Sequence, residues 1–250
     1  MFKTAFSILA AAALFGGQAS AADMVTKWPA APAPVFNWTG FYAGLGIGYG
    51  MYNVESSQVV AATGAVTLPQ GTSGGRGWLG TALVGFDYQL APSWVTGLFA
   101  DFDLTWMKGD HIGPPVTTGI GNLENRWAWA AGVRLGYLVT PQVLTYVNIG
   151  YSAARFDQVD YAVASTLAPN GISLPAQTHN GWFLGGGLEY QIPWFRGLSS
   201  RTEYRVADYG RQTVTNIATV TGAPLVTAET LRPYVQTIRT QLVYKFNWSR

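Results

Sequence analysis

Side chains able to do chemistry are few in this chain, and they are scattered. Histidine occurs twice, as His111 and His179, and cysteine is absent. A hydrolase or acyltransferase needs a nucleophile and an oriented base within hydrogen-bond reach. Neither histidine has a recognisable partner spacing. His179 with Ser152 is the sole pairing that can be constructed, and His111 reads as a solvated loop residue. Two isolated histidines without cysteine make no metal site, and no cofactor motif is present. The chain is therefore expected to be non-enzymatic, with no cofactor.

Charge carries a clearer signal. Asp87, Asp101, Asp103, Glu189 and Glu203 are acidic, and Arg134, Arg201, Arg205, Arg239 and Lys245 are basic. All ten share one parity of alternating runs whose other parity is apolar and aromatic. A one-residue slip would move them into hydrocarbon, at roughly 2–4 kcal/mol for each midplane Arg or Lys. Five acids facing five bases predict a neutral lumen cross-linked by ion pairs. The alternative is a selectivity lining for a pore. Eight strands leave an interior only wide enough for side chains, which favours a plug.

The elements that must position these charges are strands. Alternation recurs over residues 38–52, 78–90, 94–107, 126–139, 143–157, 180–191, 198–209 and 231–246. Around the first run, Asn37 to Gly50 place Tyr42, Gly44, Gly46, Gly48 and Gly50 on one face and Phe41, Ala43, Leu45, Ile47 and Tyr49 on the other. Glycine at every second position suits a tight barrel interior that admits bulky side chains from neighbouring strands. Short breaks at Ala91–Ser93, Thr140–Gln142 and Ile192–Gly197 each carry proline. Breaks at 53–77, 108–125, 158–179 and 210–230 are long and are expected to be loops. Aromatic residues gather at both ends of the runs, where amphipathic rings meet a membrane interface. The fold expected is all-β, an eight-stranded antiparallel up-and-down transmembrane barrel with short turns on the periplasmic side.

Composition agrees. Charged residues are 11% of the chain and aromatics 14%, poor material for a soluble surface. No run past the N-terminus approaches the ~20 apolar residues of a membrane helix. Lipid admits only helices and closed barrels, because both satisfy their own backbone groups. Lys3, the apolar stretch Phe6 to Phe15 and Ala19-Ser20-Ala21 read as a cleavable signal peptide over residues 1–21. Residues 22–37, with Pro29, Pro32 and Pro34, read as a Pro/Ala-rich periplasmic tether ahead of a barrel over 38–250. The net charge of +2 gives no nucleic-acid steering. Asn37-Trp38-Thr39 and Asn247-Trp248-Ser249 match a glycosylation sequon, without a context that uses it.

The signal peptide, the tether and Asn37-Trp38-Thr39-Gly40-Phe41-Tyr42 resemble the opening of the alphaproteobacterial outer-membrane β-barrel family of porin-like surface proteins. Arg134-Leu135-Gly136-Tyr137, Gly181-Trp182, Gly185 to Tyr190, Glu203-Tyr204 and Tyr244-Lys245-Phe246 extend the resemblance over the mature chain. It implies an OmpA-like eight-stranded barrel in the cell outer membrane, contributing to envelope integrity and surface properties. Some members are described as haem-binding antigens or weak porins, so a narrow passive channel or a haem-type surface binder is the alternative. An outer-membrane lipid-modifying enzyme is a more distant one. The implied partners are outer-membrane lipid, lipopolysaccharide, periplasmic chaperones and the barrel-assembly machinery, with no nucleic acid. Oligomeric state is left open. Members typically end on the last strand's aromatic residue, whereas Asn247 to Arg250 follow Phe246 here.

Overall fold

Ring closure is the first requirement of a strand assembly in lipid, since an open edge would leave backbone donors and acceptors without partners. The computed structural model describes residues 37–113 and 119–246. The expected signal peptide, nearly all of the tether and the four residues after Phe246 lie outside them. The strands are β1 (Gly40–Val60), β2 (Val66–Ala91), β3 (Trp94–Gly113), β4 (Gly119–Thr140), β5 (Val143–Phe156), β6 (Val159–Val163), β7 (Pro169–Leu174), β8 (Gln177–Gln191), β9 (Leu198–Asp208), β10 (Gln212–Ala218) and β11 (Pro224–Phe246). Eight of them, β1, β2, β3, β4, β5, β8, β9 and β11, follow one another antiparallel. The ring closes through β1 and β11, from Phe41 opposite Phe246 to Val60 opposite Thr227. This is an all-β, up-and-down barrel.

Parity of the side chains follows the sequence expectation. Leu45 is 70% exposed and Trp78 62%, while Tyr42, Leu83 and Phe99 are buried inside. The glycine face of β1 lets interior side chains approach the wall. A Cβ added at Gly50 would stand 2.6 Å from Met107 Sδ, and one at Gly46 would stand 2.6 Å from Gln241 Cγ. Aromatic rings pair across neighbouring strands at both ends of the apolar band. Tyr49 meets Trp78 edge-on at 5.4 Å at the long-hairpin end, and Trp94 meets Tyr137 at 5.3 Å at the short-turn end.

The long breaks depart from expectation. Residues 53–77 are not a loop: β1 and β2 continue their ladder past Tyr49 and Trp78 as far as Val59 opposite Val66. β1 has 21 residues and β2 has 26, about twice the 9–11 needed to span a bilayer. The break at 108–125 is the tip of β3 and β4, 158–179 contains β6 and β7, and 210–230 contains β10 and the start of β11. These stretches lose the apolar alternation because their outer face no longer meets lipid. Backbone pairing does not depend on that alternation and persists.

The extra strands form a second tier. β6 pairs with β4, β7 with β6, β10 with β7, and β11 with β10. Above the aromatic band, β6, β7 and β10 thus take the places that β5, β8 and β9 hold below. Both tiers are eight strands around, so the wall continues upward as a turret. Protease treatment of the reconstituted barrel should cut at the hairpin tips around 61–65, 164–168 and 219–223. Mass spectrometry that instead found cuts spread through 53–60 and 66–77 would contradict the laddered turret.

Candidate functional site

The interior collects what the wall excludes. All ten charged residues read from the parity lie on the inner face and are buried. They separate into two clusters, stacked along the barrel axis. The cluster nearer the short turns has three cations and two acids. Arg134 on β4 donates from Nε to Asp87 Oδ1 on β2 (2.8 Å), from Nη2 to Asp87 Oδ2, and from Nη1 to Glu189 Oε2 on β8 (2.9 Å). Arg201 donates twice to Glu189 Oε2, at 3.0 and 2.8 Å, and Ser199 to Glu189 Oε1 at 2.7 Å. Lys245 reaches Asp87 at 2.5 Å and the Trp38 carbonyl at 2.9 Å. The Tyr42 and Tyr146 rings lie against both guanidinium groups, 4.7 to 5.7 Å from centroid to Cζ.

The second cluster has three acids and two cations. Arg205 makes a fork onto Asp101 at 3.0 and 2.6 Å and donates to Glu203 at 3.0 Å. Arg239 donates to Asp103 at 3.0 and 3.1 Å and to Asp101 at 3.3 Å. Tyr146 joins the tiers of charge, because its hydroxyl donates to Glu203 at 3.0 Å while its ring covers Arg134. One cluster carries an extra positive charge and the other an extra negative one, so the ten charges cancel across the pair. A cavity of about 20 Å³ opens among Asp101, Asp103, Thr105, Arg205 and Tyr209, room for one water.

A third polar group sits in the turret and escaped the sequence reading. His111, expected to be a solvated loop residue, is fully buried on β3. Its Nε2 lies 3.0 Å from Glu229 Oε2 on β11, and its Nδ1 lies 2.8 Å from Ser73 Oγ on β2. Tyr161 on β6 donates to both Glu229 oxygens, at 2.8 and 3.0 Å. Burial, with Glu229 beside it, pushes the Tyr161 hydroxyl far above its usual pKa, so it stays a donor. The order Ser73, His111, Glu229 is that of a nucleophile, a base and an acid. Ser73, however, lies mid-strand in the β1–β2 ladder opposite Val54, not on an exposed turn. The group ties four strands across the upper ring. No sequence signal marked it, because its members stand 38 and 118 residues apart.

The pairing of His179 with Ser152 is not made. Ser152 donates to the Trp129 carbonyl at 2.9 Å and meets the Tyr209 hydroxyl at 3.0 Å. His179 lies further up β8, opposite Ala154, with its ring edge-on to Phe156 and neither nitrogen bonded. Burial pushes its pKa down to about 4, so the ring is neutral at physiological pH. Among the described residues no group of histidine, cysteine and acidic side chains is placed to hold a metal.

This wall, this banding and this charged interior have relatives. The model of the outer membrane protein beta-barrel domain matches residues 7–246. The chain belongs to that family. It is 29% identical over 228 residues to the 31 kDa outer-membrane immunogenic protein of Brucella melitensis, covering 82% of this chain and 87% of the relative. It is 27% identical over 250 residues to the 25 kDa outer-membrane immunogenic protein of Brucella abortus, covering 98% of each. Among solved structures, the outer membrane protein OprG from Pseudomonas aeruginosa shares the fold, with a TM-score of 0.56 at 14% identity, over 84% of this chain and 98% of that one. The protein is an outer-membrane β-barrel.

Removing Arg134 would leave Asp87 and Glu189 short of a counter-charge in a confined interior. Arg134→Ala should cost about 3–5 kcal/mol, read by urea unfolding in lipid vesicles. A change within about 0.5 kcal/mol would show that the guanidinium is not holding the cluster together.

Proposed function

We propose that the protein is a structural surface barrel whose lumen is closed by its own side chains and which contributes to envelope integrity and surface properties. The observation that carries this is the pair of charge clusters, which spans the bore at membrane depth and is interleaved with Tyr42, Phe99, Tyr146 and Phe183. Arginine forks held at 2.6 to 3.1 Å on both sides are a bonded plug and not a spaced lining. The non-catalytic reading is supported by the unmade His179–Ser152 pair and by the mid-strand setting of Ser73.

The turret supports a surface role. Residues 60–68, 164–172 and 219–227 at its tips contain no charged side chain, and Val220 is 94% exposed. Laddered strands hold these neutral tips clear of the membrane. The relatives are named immunogenic proteins, and a rigid, protruding turret is the part of this chain that would be seen in the same way. Outer-membrane lipid and lipopolysaccharide face the apolar band and the exposed charges above it, Lys108, Arg126 and Arg232 among them. Chaperones and the assembly machinery are the partners that the route to the membrane requires.

Planar-bilayer recording tests this reading. The refolded protein, with folding verified by heat-modifiable migration on gels, should be electrically silent or nearly so. Steady, ohmic, solute-permeable conductance from a demonstrated monomer would overturn the plug and make the protein a narrow porin.

A further inference from the structure

The two tiers do not join everywhere, and the place where they part has the makings of a binding site. β8 pairs with β9 only up to Trp182 opposite Asp208. There the chain leaves the ladder, turns at Gly210 (φ +67) and returns as β10 against β11. β10 meets β7 only at Ile217 and Ala218. The upper end of β8 therefore has a ladder partner on the β5 side alone. An open cleft of about 590 Å³ lies on the outer wall at this seam, lined by Asn180, Trp182, Asp208, Arg211 and Arg232, with Gly181 and Gly210 between them.

Its depth is fixed by the aromatic band. Trp182 stands opposite Tyr151 on one side and Asp208 on the other, and Asp208 stands opposite Tyr234. The cleft therefore sits where lipid head groups begin. Below it the wall is apolar, with Leu184 and Ile238 exposed to acyl chains.

Its chemistry is that of two arginines, each facing one acid, with guanidinium donors left over. Arg232 donates from Nε and Nη2 to Asp208, at 3.3 and 2.5 Å, leaving Nη1 outside that fork. The acid facing Arg211 is Glu55, 3.9 Å away, beyond hydrogen-bond range. A guanidinium offers five donors in a planar fork suited to phosphate oxygens. Trp182 supplies a ring face for a sugar, and Asn180 an amide for hydroxyls. Behind the seam, on the inward faces of β8 and β10, Gln177 Oε1, both nitrogens of His179 and Asn216 Oδ1 are buried without a hydrogen-bond partner. Buried polar atoms are normally bonded. These unbonded ones face the bore, across the wall from the cleft, and form no part of its lining.

We propose that this cleft binds the phosphorylated sugar head group of an outer-leaflet glycolipid, with Arg211 and Arg232 on the phosphate, Trp182 on the sugar and the acyl chains along the apolar wall below. The proposal rests on the outer-membrane surface-barrel reading and assigns residues to its lipid contact.

Native mass spectrometry of the refolded full barrel in detergent tests it, with bisphosphorylated lipid A and the same lipid stripped of phosphate as probes. The wild type should retain the phosphorylated form at least about tenfold better. Arg211→Gln with Arg232→Gln should abolish that preference. Lys108→Gln, which removes an exposed cation at similar height on β3 whose partner is Glu124, should leave it intact. Millimolar inorganic phosphate should not displace the lipid. Equal retention of both lipids, an equal loss in Lys108→Gln, or displacement by inorganic phosphate would overturn the assignment. Heat-modifiable migration keeps the two failures apart. A folded, membrane-inserting barrel without lipid preference sinks the site alone, and a chain that never inserts sinks the barrel reading too.

Discussion

Backbone hydrogen bonding in a medium without water is the constraint from which the rest of the structure follows. Every amide at membrane depth needs a partner inside the protein, and strands provide it only if the sheet closes. The β1–β11 ladder does this over the full height of the wall. Closure then fixes the rest. With period-two alternation, one parity meets lipid and the other has nowhere to go but the bore. In an eight-stranded ring that bore is filled by side chains.

Putting charges into such a bore is stabilising only if each is paired. Transfer of an ion out of water is expensive, and geometry must offset it. Here guanidinium forks, shared carboxylates and tyrosine rings supply that geometry. The imbalance within each cluster is resolved across the stack, with Tyr146 touching both. The glycines of β1 belong to the same solution, since Met107 and Gln241 occupy space that a Cβ would take. A loosely filled bore would have left the arginines without fixed partners.

The sequence was legible where two environments differ sharply. At membrane depth, lipid outside and charge inside imprint opposite residue types on alternate positions, and Asp101, Arg205 and Arg239 could be placed by parity alone. Who pairs with whom was not legible, because partners such as Arg239 and Asp103 lie 136 residues apart and any strand of the ring can face any other across the bore. Above the membrane the outer face of the wall loses the lipid imprint, and with it the contrast between the two parities. The continuation of β1 and β2 through 53–77 therefore read as loop, and His111 read as solvated although it is sealed behind Ser73 and Glu229. The seam between tiers was invisible for the same reason. Nothing in the residue types around Gly210 says which neighbour the chain rejoins.

Closure of the bore by mutually dependent ion pairs, and not by bulk alone, is open to a direct test. A double-mutant cycle on Asp101 and Arg205, using Asp101→Leu, Arg205→Met and the pair together, tests it by urea unfolding in lipid vesicles. Mutually dependent pairs predict coupling of about 1–3 kcal/mol, with the double variant more stable than the sum of the single losses implies. Additive losses, agreeing within about 0.5 kcal/mol, would contradict it and leave the bore filled by independent side chains.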